Sequence, residues 1–131
     1  MNVIDSSAWL EYFANGSNSS FFAPAIENVE QLIIPAIVIF EVFKNVLRQR
    51  GENDALQIVA TMQQGQTVDL TPALALNAAK ISVDMKLPMA DSLILATARA
   101  YNATLWTQDI DFKDIGMVDE NQDFLSQIIK E

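Results

Sequence analysis

The sequence predicts an α/β fold: a parallel β-sheet flanked by helices on both faces, in a single domain over residues 1–131. Three observations lead there. Short runs at Val3–Ile4, Gln31–Ile34, Thr67–Leu70 and Thr104–Thr107 have strand length, and most carry β-branched residues. Longer segments with helical spacing lie between them, and strands alternating with helices imply a parallel sheet covered on both sides. The chain has 131 residues and is 50% hydrophobic, enough for one sizeable core.

The first strand stops at Asp5, Ser6 and Ser7 follow, and Ala8 to Phe13 then reads as a mostly apolar helix ending near Asn15-Gly16. Ser17 to Ser20 form a polar link. Phe21 to Val29 is expected as a shorter helix with Pro24 in its first turn. Pro35 closes the second strand and opens a helix to Arg50, with apolar residues recurring at Ile37, Phe40, Phe43 and Leu47. Gly51 ends it, and Asp54 to Gln64 is the next helix, closed by Gly65. After the third strand, Thr71-Pro72 supplies an N-cap and an N1 proline for a helix to about Met85. Leu87-Pro88 breaks the pattern before a helix over Met89–Tyr101, whose Ala96, Ala98 and Ala100 suggest close packing. Beyond the fourth strand the sequence reads as a turn over Phe112–Ile115, an edge strand over Gly116–Val118 and a C-terminal helix over Asn121–Lys130.

Composition narrows the chemistry. There are no cysteines and no histidines. That excludes disulfides, thiolate catalysis, a Ser-His-Asp triad, a histidine base and a histidine-ligated transition metal. A hydrolase with this composition is left with carboxylates and a hard divalent cation. The net charge of −9, from 17 acids and 8 bases, opposes non-specific binding to nucleic acid or anionic membrane. No apolar run approaches a membrane span, and no signal peptide is evident, so a cytoplasmic protein is expected.

Four acids occupy special settings. Asp5 and Asp109 follow strands, Glu41 lies inside an apolar helix, and Asp91 stands in the first turn of another. Each has an ordinary reading. Asp5 is a preferred helix N-cap, and Asp91 suits a helix dipole. Glu41 is within a turn or two of Lys44 and Arg48 as ion-pair partners, and Asp109 suits a turn. Against those readings, ligands in open α/β sheets bind outside the carboxyl ends of strands, where Asp5 and Asp109 stand.

The stretches VIDSSAWLEYF around Asp5, FEVFKNVL around Glu41, LPMADSLILATA around Asp91 and LWTQDIDF around Asp109 occur in an order and rough spacing that resemble the PIN-domain family. Within it, the resemblance is to small VapC-type toxins of toxin–antitoxin pairs, along nearly the whole chain. It implies that Asp5, Glu41, Asp91 and Asp109 meet in one pocket holding one or two Mg²⁺ or Mn²⁺ ions and cutting RNA. Asp111 is a weaker candidate for the fourth acid, and Ser6 and Thr107 match positions where the family often has a hydroxyl. A homodimer is expected on the same resemblance. The acidity of the chain departs from a typical nuclease, and it suits an antitoxin partner with a basic segment.

Physical chemistry is consistent with that picture, since Mg²⁺ takes hard oxygen ligands and lowers the pKa of bound water. Asp5 and Asp91 are assigned as direct ligands. Glu41 and Asp109 either complete the shell or orient the attacking water. The expected reaction is in-line attack of water on a phosphodiester, leaving a 5′-phosphate and a 3′-hydroxyl. Lys44 and Arg48 either hold the RNA backbone or belong to a solvated helix face. Two rival functions are a phosphoacceptor domain with an acidic Mg²⁺ pocket and a non-catalytic acidic binding module. The first fits poorly, because Asp5 is followed by two serines and the late lysines, Lys113 and Lys130, are badly placed.

Overall fold

A computed structural model describes residues 1–112 and the backbone of 118–120. Its strands are β1 (Asn2–Ile4), β2 (Leu32–Pro35), β3 (Gln66–Val68), β4 (Thr104–Thr107) and β5 (Val118–Glu120). They form one sheet in the order β3-β2-β1-β4-β5, with every pairing parallel. The helices are α1 (Ser6–Phe13), α2 (Ser19–Glu27), α3 (Ala36–Arg50), α4 (Glu52–Met62), α5 (Pro72–Met85) and α6 (Met89–Ala100). They come in pairs between consecutive strands from β1 to β4, so the predicted fold class is the one found. No helix among the described residues is long and apolar enough to cross a membrane.

The chain steps from β1 to β2 to β3 along one side of the sheet, then returns through α5 and α6 to place β4 on the other side of β1. The strand order therefore reverses between β1 and β4, and the crevice at their carboxyl ends is the topological switch point. The two strands are held in register at Val3–Leu105 and Ile4–Trp106. Trp106 Nε1 also donates to Asn2 Oδ1 at 2.9 Å. Val3, Ile4, Ile33, Ile34 and Leu105 are buried, as strands covered on both faces require. In α6 every residue from Ser92 to Ala98 is buried, including Ala96 and Ala98, whereas Ala100 is exposed.

Several element boundaries differ from the sequence reading. The second helix starts earlier, at Ser19, so Pro24 sits in its interior on the exposed side. A 3-10 turn over Val29–Gln31 takes up the residues before β2. Helix α4 begins at Glu52, directly on Gly51, whose φ of +95° no L side chain adopts readily. Helix α3 buries Val38, Val42 and Val46, a stripe of period four. The four residues the spacing picked out divide: Ile37 and Phe43 pack partly buried against the core, whereas Phe40 is 59% exposed and Leu47 41%. After β4 a 3-10 turn spans Ile110–Phe112, and residues 113–115 of the expected turn lie outside the described residues. An edge strand is found at Val118–Glu120, and residues 116 and 117 of the expected Gly116–Val118 strand lie outside the described residues. The expected C-terminal helix over Asn121–Lys130 lies outside the described residues.

Candidate metal centre

Asp5 occupies both of the settings between which its sequence left a choice. It is the N-cap of α1, its Oδ1 accepting the Ala8 N–H at 3.1 Å. Its carboxylate also lies 2% exposed at the end of β1, inside the switch-point crevice. Ser7 donates its hydroxyl to Oδ1 at 2.7 Å, and Thr107, the last residue of β4, donates to Oδ2 at 2.5 Å. Burial pushes the Asp5 pKa up to about 6, although the bonds from Thr107, Ser7 and Ala8 pull the other way; the charge of Asp109 adds to the rise.

Thr107 turns the chain toward the other acids. Its hydroxyl accepts the Asp109 N–H at 2.8 Å, and Asp109 Oδ1 in turn accepts the Asp111 N–H at 2.9 Å. Phe112, fully buried, anchors the far end of the loop. The result is that carboxylate oxygens of Asp91, Asp109 and Asp111 all lie within 4.8 Å of one another. Asp91 is delivered by the first turn of α6, which Pro88 precedes at the N-cap position. Its carboxyl is pushed up to about 8, first by burial, then by the charge of Asp109, a hydrogen bond with Asp111, and the charges of Asp5 and Asp111. A carboxyl so crowded by like charge is one a bound cation would relieve. Three hard oxygen donors with no sulfur or imidazole suit Mg²⁺ or Mn²⁺.

The remaining sequence candidates are distributed around this trio. Asp5 and Glu41 are not members of it. Glu41, half-buried on α3, accepts a hydrogen bond from the Ser6 hydroxyl, so it adjoins the residue next to Asp5 and does not stand on a solvated face. Lys44 and Arg48 are exposed on α3. The Lys44 ammonium lies 5.7 Å from the centre of the Phe40 ring, and Arg48 reaches the Asn45 side chain at 3.4 Å. Asp111, second to Asp109 in the sequence reading, is its equal in the trio. Ser7, which that reading did not single out, proves to be a donor to Asp5; its place two residues after an acid, in a DSS run, was the available signal.

Comparison with known proteins identifies the fold. The profile of the PIN domain matches residues 3–117. The chain belongs to the PIN-domain family. Among solved structures, this PIN domain is similar to a toxin–antitoxin complex from Klebsiella pneumoniae, with TM-score 0.76 and 21% identity over 91% of this chain and 96% of that one. It is similar to VapC20 of Mycobacterium tuberculosis, described as a sarcin-ricin loop cleaving toxin, with TM-score 0.70 and 16% identity over 86% and 92% of the two chains. VapBC2 from Rickettsia felis, bound to a DNA fragment from its promoter, gives TM-score 0.70 and 16% identity over 92% and 96%. At these identities the likeness is one of fold. Comparison with curated protein sequences finds no match.

Proposed function

We propose that this PIN domain is a divalent-metal-dependent endoribonuclease, the toxin of a toxin–antitoxin pair. The observation that carries the reading is the convergence of Asp91, Asp109 and Asp111 within 4.8 Å, beside the buried Asp5, at the switch point of a PIN fold. Its support from known proteins is that similar structures include a VapC toxin described as cleaving the sarcin-ricin loop and a toxin–antitoxin complex.

Asp91, Asp109 and Asp111 would hold Mg²⁺ or Mn²⁺. Bound there, the cation supplies polarisation of a phosphoryl oxygen and a lowered pKa for its water. The protein's own part is positioning. Asp5 adds negative charge beside the trio and, through Thr107, ties the end of β1 to the loop after β4. Glu41, oriented by Ser6, is the remaining carboxylate able to orient a water or accept its proton. Lys44 and Arg48, exposed beyond Glu41 on α3, are assigned to phosphates of the RNA backbone. The products would be a 5′-phosphate and a 3′-hydroxyl.

The same reading covers partners. With a net charge of −9 concentrated in part at this pocket, the natural inhibitor is a short antitoxin segment whose Arg or Lys enters among the acids, in the cytoplasm where RNA is met. A homodimer is proposed as well, through the outer face of α5 and the start of α6. There Leu76, Val83 and Met89 are each more than 70% exposed, and Lys80 and Asp84 balance in charge. Purified protein freed of any partner should cut a structured RNA in Mg²⁺ or Mn²⁺ and stop with EDTA. Asp91→Ala should lower the rate by more than about 100-fold, since even groups behind the ligands typically cost 10 to 100-fold. Activity of Asp91→Ala equal to the parent would overturn the assignment.

A further inference from the structure

Two of the three clustered acids stand on one loop, between Thr107 at the end of β4 and Phe112 in the core. Like charges within 4.8 Å repel, so this loop relaxes outward unless something holds it. A hydrogen bond between neutral side chains outside the cluster can do so. Gln108, half-buried and set between Thr107 and Asp109, makes such a tie: its Oε1 accepts from Asn18 Nδ2 at 3.1 Å.

Asn18 is itself fixed. Its N–H donates to Glu11 Oε2 at 2.8 Å, and its carbonyl accepts the Phe21 N–H at 3.0 Å. The α1–α2 connection folds tightly over Glu11 to allow this. A Cβ on Gly16 would lie 2.2 Å from Glu11 Oε2, and Asn15 adopts φ +55°. Asn18 occupies the N-cap position of α2, where an asparagine ordinarily accepts from the helix's own N–H groups. It makes no such bond there, and its amide is turned to Gln108 instead. Gln108, Glu11 and Ser7 line one wall of a cleft of about 390 Å³.

We infer that Asn18 is a positioning residue: by holding Gln108 it keeps the loop of Asp109 and Asp111 against Asp91. The Asn18 side chain bonds to Gln108 and not to Asp91, Asp109 or Asp111, so it acts through that loop. The inference rests on the metal-dependent reading for its consequence, but the tie can be read without metal. Asn18→Ala and Gln108→Ala should each weaken Mn²⁺ binding, measured by calorimetry, by about tenfold, the usual cost of losing a group behind the ligands. The double variant should be no worse than either single one, because both remove one bond. Amide exchange at residues 109–111 should quicken in metal-free Asn18→Ala. Asn18→Gln with Gln108→Asn conserves the summed side-chain length, so the pair should recover parental Mn²⁺ affinity while each single exchange does not. Parental affinity and exchange in both alanine variants would overturn the tie alone. A parent protein that binds no Mn²⁺, with exchange at 109–111 still faster in Asn18→Ala, would keep the tie and sink the metal reading.

Discussion

The Asp5 carboxylate is buried at 2% exposure among three protein donors, yet its pKa rises to about 6 from an ordinary 3.8. Desolvation therefore outweighs the donors. The sign of the consequence follows from proton counts. Below about pH 4 both the folded and the unfolded chain keep the proton, and Asp5 adds no pH-dependent cost. Between pH 4 and 6 the folded state holds a proton that the unfolded chain has lost, so stability falls as pH rises. Above pH 6 the cost is full, about 3 kcal/mol as an order of magnitude. Asn keeps the acceptor for Ala8 and Ser7, and Thr107 can turn its hydroxyl to accept. Metal-free Asp5→Asn should therefore unfold at higher denaturant than the parent at pH 7.5 and show an advantage under about 1 kcal/mol at pH 4. A clear loss of stability at pH 7.5 would mean the cap to α1 dominates. The sequence presented cap and pocket as alternatives, because it does not show that the residue capping α1 is also walled in by β4. Likewise, the DID spacing did not rank Asp111 beside Asp109. That ranking depends on the 3-10 turn at Ile110–Phe112 and on where α6 delivers Asp91.

At the scale of elements, alternation, capping and proline placement made the helices and the first four strands legible. Thr71 does cap α5, accepting from the Leu74 N–H at 3.2 Å, and Pro72 is its first residue. What failed was the choice of face where apolar residues nearly encircle a helix. In α3, Ile37, Val38, Ile39, Phe40, Val42 and Phe43 offer several stripes, and packing against β2, α1 and α4 selected the valines. Helix α5 poses the opposite problem, since only Leu74 and Ala78 are buried while Leu76 and Val83, one heptad apart, face outward. An isologous dimer is the arrangement proposed to cover them, with Lys80 and Asp84 free to pair across a two-fold axis. Val83→Glu places a charge at the centre of that face. Light scattering at micromolar concentration should give dimer mass for the parent and monomer mass for the variant. As Val83 is 78% exposed, the variant's stability as a monomer should change by under about 0.5 kcal/mol. A parent of monomer mass, or a dimeric Val83→Glu, would reject this face.

Over the whole molecule, the reversal of strand order between β1 and β4 brings three distant parts of the chain together, and no local pattern in the sequence encodes that order. Asp5 follows β1, Asp109 and Asp111 follow β4, and Asp91 arrives on the helix that crosses between. In a chain of net charge −9 this concentrates repulsion at one crevice, so a cation bound there should act on the stability of the entire fold. At a free Mn²⁺ concentration of about 100 times the dissociation constant, mass action contributes about 2.7 kcal/mol. For a domain of this size that corresponds to a rise of roughly 10 °C in Tm. The carboxylates proposed as ligands must be ionised to bind, and burial with neighbouring negative charge pushes Asp91 up to about 8, as burial pushes Asp5 up to about 6. Raising the pH from 6 to 8 removes the proton that competes with the metal, so at fixed Mn²⁺ the rise in Tm should grow across that interval. Asp91→Asn has no proton to displace and one ligand fewer, so it should show little rise at either pH. Thermal melts of both proteins with Mn²⁺ and with EDTA, at pH 6 and pH 8, decide the matter. A parental shift of the same size at the two pH values would mean that Asp91 does not meet the cation.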